Sequence, residues 1–439
     1  NVYGGLQDNG VWYGPSTYRF STGWKGSGSY PYKRIGGGDG MMVQIDSRDN
    51  ETVYSGSQFG YYSRLNLKTG KRISIHPKHQ LGDSPYRYNW QTPILLSSHN
   101  QDILYMGANK LLRSMDQGAT FDVISDDLTT GGKKGNVPYG TLATISESPF
   151  QFGLIYTGSD DGLIHVTKDG GNSWTNITVN LPKNLWVSRV IASKFKKERV
   201  YATLNGYRSD DFTSYVYMSD NYGQTWKNIG NNIPTSAVNV IKEDSKNEKL
   251  LYVGTDNGLY VTFNNGGSWH PFSNGIPNVA VHDLVIQERE NDLVVGTHGR
   301  SIYKTNISRL QKFDTYSSKR THLFKIPSLR SSSRWGSSWS QFSPVNTPKI
   351  KFEVFSNIAK KTTVSIYSGD ILVNYFAVSL DKGFNSVSYD VSFSKKGKKA
   401  FEKANKKKKL KAAQNGAFYL PKGKYTVNIN GEKQTLQIK

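Results

Sequence analysis

The stretch Gly153-Leu154-Ile155-Tyr156-Thr157-Gly158, followed by Leu163-Ile164-His165-Val166 and by Thr167-Lys168-Asp169-Gly170-Gly171-Asn172-Ser173-Trp174, decides how this chain folds. Short apolar runs with a central Tyr, closed by Gly, read as strands joined by tight turns. The run Thr141-Leu142-Ala143-Thr144-Ile145 before it and Trp174-Thr175-Asn176-Ile177 after it make four strands in one unit. The unit recurs. Its anchor appears as Val2-Tyr3-Gly4-Gly5, Val53-Tyr54-Ser55-Gly56, Leu104-Tyr105-Met106-Gly107, Val200-Tyr201-Ala202-Thr203 and Leu251-Tyr252-Val253-Gly254, and again as Val294 with Gly296. Anchor positions 3, 54, 105, 156, 201, 252 and 294 lie 51, 51, 51, 45, 51 and 42 residues apart. Four antiparallel strands in each of seven such periods is the arithmetic of a β-propeller blade, because one blade cannot bury both faces without neighbours. The unit that starts at Asn1 lacks its first strand, which either the C-terminal end of the ring or upstream sequence would supply; the abrupt start favours the second as the expectation.

A second motif rides on the first. Ser114-Met115-Asp116-Gln117-Gly118-Ala119-Thr120-Phe121 and Thr167 to Trp174 share the pattern Ser/Thr-x-Asp-x-Gly-x-Thr/Ser-Trp/Phe with Ser219-Asp220-Asn221-Tyr222-Gly223-Gln224-Thr225-Trp226 and Thr262-Phe263-Asn264-Asn265-Gly266-Gly267-Ser268-Trp269. Here Asp116, Asp169, Asn221 and Asn264 are expected to cap the N–H groups of their own turn while Gly takes a positive φ. The aromatics Phe121, Trp174, Trp226 and Trp269 are expected to fold under as plugs. This is the Asp-box. The chain resembles Asp-box (BNR-type) repeat propellers, which include the sortilin-like proteins and a group of secreted bacterial proteins, common in Bacteroidetes, labelled glycosyl hydrolases. Gly4-Gly5-Leu6-Gln7-Asp8-Asn9-Gly10, Gly37-Gly38-Asp39-Gly40 and Val295-Gly296-Thr297-His298-Gly299-Arg300-Ser301-Ile302-Tyr303 carry that second likeness. The resemblance implies a secreted or cell-surface location, at the outer-membrane exterior, and further sequence on both sides. It also implies that Asp-boxes sit away from the ligand face, so they carry no catalytic information.

Candidate ligand residues follow from position. Four residues after each anchor, at the second-to-third strand turn, stand Gln7, Gln58, Asn109, Asp160, Asn205, Asp256 and His298. Loops leading into the blades add Asp39, Tyr88, Trp90, Tyr139, Trp186, Arg189, His282 and Asp283, with Asp8, Tyr207, Arg208 and Arg300 beside them. These are expected to form a polar ring with aromatic platforms, suited to a glycan or peptide. No catalytic residue stands out. Asp8 and Asp39 are the only candidates for a glycoside hydrolase whose second carboxylate lies upstream. The arginine set and Arg-Ile-Pro motif of sialidases are absent. Gly36 to Gly40 is a turn and opens no helix, so it is no phosphate loop. His282, His298 and Asp283 suggest blade-to-blade hydrogen bonds before a metal pair, and neither a metal nor a cofactor is expected.

Composition narrows the rest. There are 439 residues with 43 Gly and no Cys, which excludes disulfides, thiolate metal sites and a Cys nucleophile. No apolar run approaches the length of a membrane span. The formal charge of +22 is uneven: residues 346–439 hold 19 Lys, no Arg and 6 acidic residues, and ten of the lysines lie between Lys395 and Lys411. Without interleaved Arg and aromatics this run reads as a solvated Lys-rich hairpin extension, open to weak polyanion contact but not to specific nucleic acid. The chain is therefore expected to be all-β. A seven-bladed β-propeller over residues 1–305 would be followed by a Ser- and Trp-containing connector, 306–347, packed on the propeller. An immunoglobulin- or fibronectin-III-like β-sandwich at 348–439 would close it. Function is expected to be non-catalytic binding of a protein or glycan partner, with the hydrolase, or a scaffold subunit of an outer-membrane complex, as alternatives.

Overall fold

The computed structural model describes residues 1–18, 23–28, 30–135, 137–340, 342–406 and 409–439. They form two compact units, Asn1–Gln311 and Lys312–Lys439.

The first unit holds seven antiparallel sheets in chain order among its described residues. Sheets 2 to 6 have four strands, each hydrogen-bonded to the next in sequence; the fourth, for example, runs Leu142–Glu147, Ile155–Ser159, Ile164–Thr167, Thr175–Asn176. Sheet 1 has three strands, Val2–Leu6, Gly10–Gly14 and Lys33–Gly36, and sheet 7 has Val281–Gln287, Asp292–Thr297 and Ile302–Asn306. First strands of successive sheets lie side by side: Leu142–Glu147 against Trp186–Ala192, that against Val238–Glu243, and that against Val281–Gln287. The sheets thus stack face to face around these inner strands. Apolar cores sit between them, such as Leu154, Tyr156, Val166, Val187, Ala202 and Leu204 between sheets 4 and 5.

Two devices lock one sheet to the next. The first is the anchor Tyr. Tyr105 Oη donates to Glu147 Oε1 at 2.9 Å, and Tyr201 Oη to Glu243 Oε1 at 3.0 Å, each carboxylate ending the inner strand of the following sheet. Ser97 and Ser193 add hydroxyl donors to the same groups. The second is the Asp-box. Its Trp reaches back: Trp174, Trp226 and Trp269 donate Nε1–H to the carbonyls of Ile124, Ile177 and Ile229, at 2.9, 2.8 and 2.6 Å. These Ile residues, with Ile75, directly follow the outer strand of the preceding sheet. The box glycine presses on the same residue, so a Cβ on Gly223 would meet Ile177 Cδ1 at 2.3 Å and one on Gly118 would meet Ile75 at 2.9 Å. The aromatic is therefore more than a plug under its own hairpin. It latches two sheets.

The second unit packs two antiparallel sheets over one core. One orders Thr321–Leu323, Ile350–Ser356, Gly383–Tyr389, and the other Ile371–Leu380, Lys360–Ser368, Gly423–Ile429, Glu432–Ile438. Phe352, Val354, Val364, Ile366, Val427 and Leu436 are fully buried between them. The last turn is Asn430-Gly431, both with positive φ, as a tight hairpin requires. Residues 312–345, read above as part of a connector lying along the propeller, belong to this unit. Thr321–Leu323 pairs with Ile350–Ser356, Leu329 bridges Ile438, and Trp335 meets Tyr419 edge-on. The Lys-rich stretch is also a correction. Lys395–Ala404 is an α-helix and no hairpin; Ser394 caps it by accepting from the Gly397 N–H. Gly397 and Phe401, one turn apart, give it a buried stripe, and a Cβ on Gly397 would collide with the Val373 carbonyl. Its lysines line the remaining faces, with Lys398 paired to Glu402 at 2.8 Å; Lys407 and Lys408 lie outside the described residues.

Candidate functional site

The strand registers fix two ends for each sheet. Inner strands begin where second strands finish, as shown by Trp186↔Asn205, Val238↔Thr255, Val281↔Thr297 and Leu142↔Ser159. The residues four beyond the anchors lie at this end. Asp160, Asp256 and His298 even make the same bond, their N–H groups donating to the carbonyls of Thr141, Ala237 and Ala280. The Asp-boxes lie at the opposite end, beside the start of the second strands, as Leu104↔Ser114 shows.

Within each box the chemistry is that of a cap. Asp116 Oδ1 accepts from Thr120 N–H at 2.8 Å and from Ser114 Oγ at 2.7 Å, and Oδ2 from Thr120 Oγ1. Asp169 does the same with Ser173 and Thr167. Asn221 and Asn264 keep the Oδ1 bonds and donate from Nδ2 to Thr225 and Ser268. These donors hold Asp116 at about 2, the Thr120 N–H first, and Asp169 likewise at about 2, the Ser173 hydroxyl first. The residue before the glycine is left-handed as well: Gln117, Gly170, Tyr222 and Asn265 all have positive φ.

At the end that carries the residues four beyond the anchors, the expected polar ring divides into three groups. In sheets 1 and 2, Asp39 Oδ1 accepts from the Asp8 N–H at 2.9 Å while the Asp39 N–H donates to Gln58 Oε1 at 3.2 Å. In sheets 3 and 4 the polar groups are committed to their own loops, with Asn109 and Asp160 buried. Asp160 takes the N–H groups of Gly140 and Thr141 and the Thr141 hydroxyl; burial holds its carboxyl above the usual range. Asn109 bridges the Arg87 N–H and Asp127, and Arg87 itself reaches Asp127 at 2.6 Å. Tyr139 lies under Lys133, and Tyr88 is buried, its hydroxyl bonded to the Pro77 carbonyl.

Sheets 5 to 7 hold the third and richest group. Asn205 Nδ2 donates to Asn239 Oδ1, and Asn239 Nδ2 to Asp256 Oδ1, both at 2.8 Å. His282 and His298 lie next along the rim with ring centroids 5.3 Å apart. Although His282 is exposed, partial desolvation by its neighbours, then the nearby His298, holds it below the ordinary histidine value. Arg189 reaches across sheet 6 to Asp283 at 2.9 Å. The hairpin of sheet 5 is longer than its neighbours, Val200–Gly206 and Asp211–Ser219, and its tip presents exposed Tyr207 and Phe212. Beside it Arg208 stacks over Trp186 at 4.3 Å. Gln7, Trp90 and Arg300 are exposed and join none of the three groups. Among the described residues no cluster of acidic and histidine side chains could hold a metal ion.

The linking residue, Asn239, is absent from the sequence reading. It is a bulge residue: registers shift at Ala143, Ser188, Asn239 and His282, at equivalent points of four successive inner strands. A bulge turns a side chain away from the alternation of its strand and toward the rim. Only His282 carried a chemical signal of its own.

Comparisons bear on this architecture. Residues 214–360 match the Sortilin-Vps10 family model (sortilin, neurotensin receptor 3). No curated protein sequence matches. Among solved structures, the GH74 xyloglucanase of Xanthomonas campestris aligns with TM-score 0.50 and 14% identity over 81% of this chain and 56% of that one. The extracellular domain of a hybrid two-component system from B. thetaiotaomicron aligns with TM-score 0.46 and 10% identity, over 99% of this chain and 55% of that one. The chain thus spans about half the length of either protein. Four Asp-box hairpins, stacked four-stranded sheets and the sortilin match together show an Asp-box repeat propeller, similar in its later part to the sortilin-like proteins.

Proposed function

We propose that the chain is a non-catalytic, secreted or cell-surface binding module that holds a glycan on the rim of sheets 5 to 7. One observation carries the reading: the continuous chain Asn205–Asn239–Asp256 beside His282 and His298, flanked by the exposed aromatics Tyr207 and Phe212. Amides and a carboxylate in a row can each trade bonds with sugar hydroxyls, and aromatic faces suit the apolar face of a pyranose. The seven sheets are read as seven blades closing a ring, with support from the approach of Gly4 in sheet 1 to Ile302 in sheet 7. The second unit is read as fibronectin-III-like from its three-plus-four division of strands. No described helix is long and apolar enough to cross a membrane.

The test is a glycan array on the full chain, followed by Asn239→Ala and Tyr207→Ala. A glycan hit that weakens about tenfold or more with either change is expected, since each removes about 1–3 kcal/mol of contact. Binding only to a protein partner would replace glycan with peptide as the ligand. The hydrolase reading keeps one support, the adjacency of Asp8 and Asp39. Polysaccharide turnover that disappears in Asp8→Ala or Asp39→Ala would establish it in place of simple binding.

A further inference from the structure

The helix Lys395–Ala404 carries more positive charge than its own packing uses. Gly397 and Phe401 are buried, while Lys395, Lys396, Lys399 and Lys403 are exposed. At 3.6 residues per turn these four lysines fall on a stripe about 100° wide and about 12 Å long, centred on Lys399 and opposite the buried pair. Among the described residues none of the four side chains makes an ion pair or a hydrogen bond. The one carboxylate of the helix, Glu402, is spent twice: Oε2 takes Lys398 Nζ at 2.8 Å, and Oε1 accepts the Leu410 N–H at 3.2 Å. The second bond ties the following chain to the helix and sets exposed Lys409 and Lys411 beside its last turns.

Local stability does not account for this arrangement. Lys395 with Lys399, and Lys399 with Lys403, are like charges four residues apart, which work against a helix. Lys395 and Lys396 stand in the first turn, where the helix dipole favours an acid, and that turn holds none. What the ridge lacks narrows the partner. Its flank past Lys396 is Ala400 and Ala404, and its large apolar residue, Phe401, is buried, so it has nothing to set into a bilayer. Residues 395–411 hold no Arg for paired contacts and no exposed aromatic for a base to stack on. A narrow row of ammonium point charges matches one extended chain that bears carboxylates or sulfates at intervals.

We propose that the ridge Lys395–Lys403, with Lys409 and Lys411, is a docking surface for an acidic polysaccharide. It belongs to the second unit and stands independently of the glycan reading given to the rim of sheets 5 to 7.

The experiment is calorimetric titration of the full chain with polygalacturonate, dextran sulfate and neutral dextran, at salt from about 50 to 200 mM. Saturable binding to at least one acidic polysaccharide is expected, about tenfold or more tighter than any binding to dextran. The triple change Lys396→Gln, Lys399→Gln and Lys403→Gln should weaken it about tenfold or more and flatten its dependence on salt. The same loss of charge at exposed lysines of the first unit, Lys68→Gln, Lys71→Gln and Lys227→Gln, should leave it within about twofold. An equal fall in both triple variants would make the binding a matter of net charge and overturn the proposal, as would absence of saturable binding. Vesicles containing phosphatidylglycerol and duplex DNA complete the set, and tighter binding to either than to both polysaccharides overturns it too. Since the changed side chains are exposed and like-charged, the unfolding midpoint of the ridge variant should be no lower than that of the parent. Asn239→Ala and Tyr207→Ala leave the ridge untouched, so failure here is distinct from failure of the rim reading.

Discussion

Asp116 and Asp169 show how much a single turn can ask of a carboxylate. Each accepts from a backbone N–H and two hydroxyls, and each is held at about 2 instead of its usual 3.8. A group depressed in this way stabilises the fold above its unfolded value, and the contribution fades as pH falls from about 4 toward about 2. Both side chains face solvent, so screening keeps the effect small. The double change Asp116→Asn with Asp169→Asn should flatten that acid limb. At neutral pH it should leave the urea midpoint nearly where it was, because Asn221 and Asn264 already hold the same hairpin. Urea midpoints measured from pH 7 down to pH 3 check this. The anchor tyrosines give a second contrast. Tyr201→Phe takes a donor from buried Glu243 and should cost about 1–3 kcal/mol. In Tyr156→Phe the lost hydroxyl has no partner, and the change should fall within about 0.5 kcal/mol of neutral in the same assay.

At the scale of the element, the Asp-box works as a joint between sheets. Trp269 is 3% exposed, donates to the Ile229 carbonyl and packs with Ile229 and Ile233. Trp269→Ala should cost about 3–5 kcal/mol in urea unfolding. Gly223→Ala should also destabilise, by about 1 kcal/mol or more, since φ is +85° and Ile177 fills the space. The boxes were legible in the sequence because their residues must sit within one eight-residue turn. Their partners were not, since Ile124, Ile177 and Ile229 lie 40 to 50 residues upstream and look like any apolar residue. The rim shows the same divide. Asp160, Asp256 and His298 sit at equivalent points because their offset from the anchor is fixed by strand length. Asn239 escaped notice because a bulge is a matter of hydrogen-bond register, which composition does not mark. The ring itself broke into groups because burial committed Asp160 and Asn109 to their own loops.

For the whole molecule, the division at Gln311 and Lys312 was only partly readable. The end of the repeat after Tyr303 marked one side of it. The Ser-rich stretch gave no alternation to show that Thr321–Leu323 would pair with a strand almost thirty residues later. The helix at Lys395–Ala404 was hidden by its charge, since only Gly397 and Phe401 face inward. With its own core, residues 312–439 expressed alone should fold and unfold in one cooperative transition, followed by circular dichroism.

The indole latches all run one way, from a later hairpin to an earlier sheet. Synthesis proceeds in the same sense, so each freshly made hairpin meets a seat that already exists. Through these latches assembly can advance wedge by wedge behind the ribosome, whereas the hydroxyls of Tyr105 and Tyr201 wait for the carboxylates of the next wedge, Glu147 and Glu243.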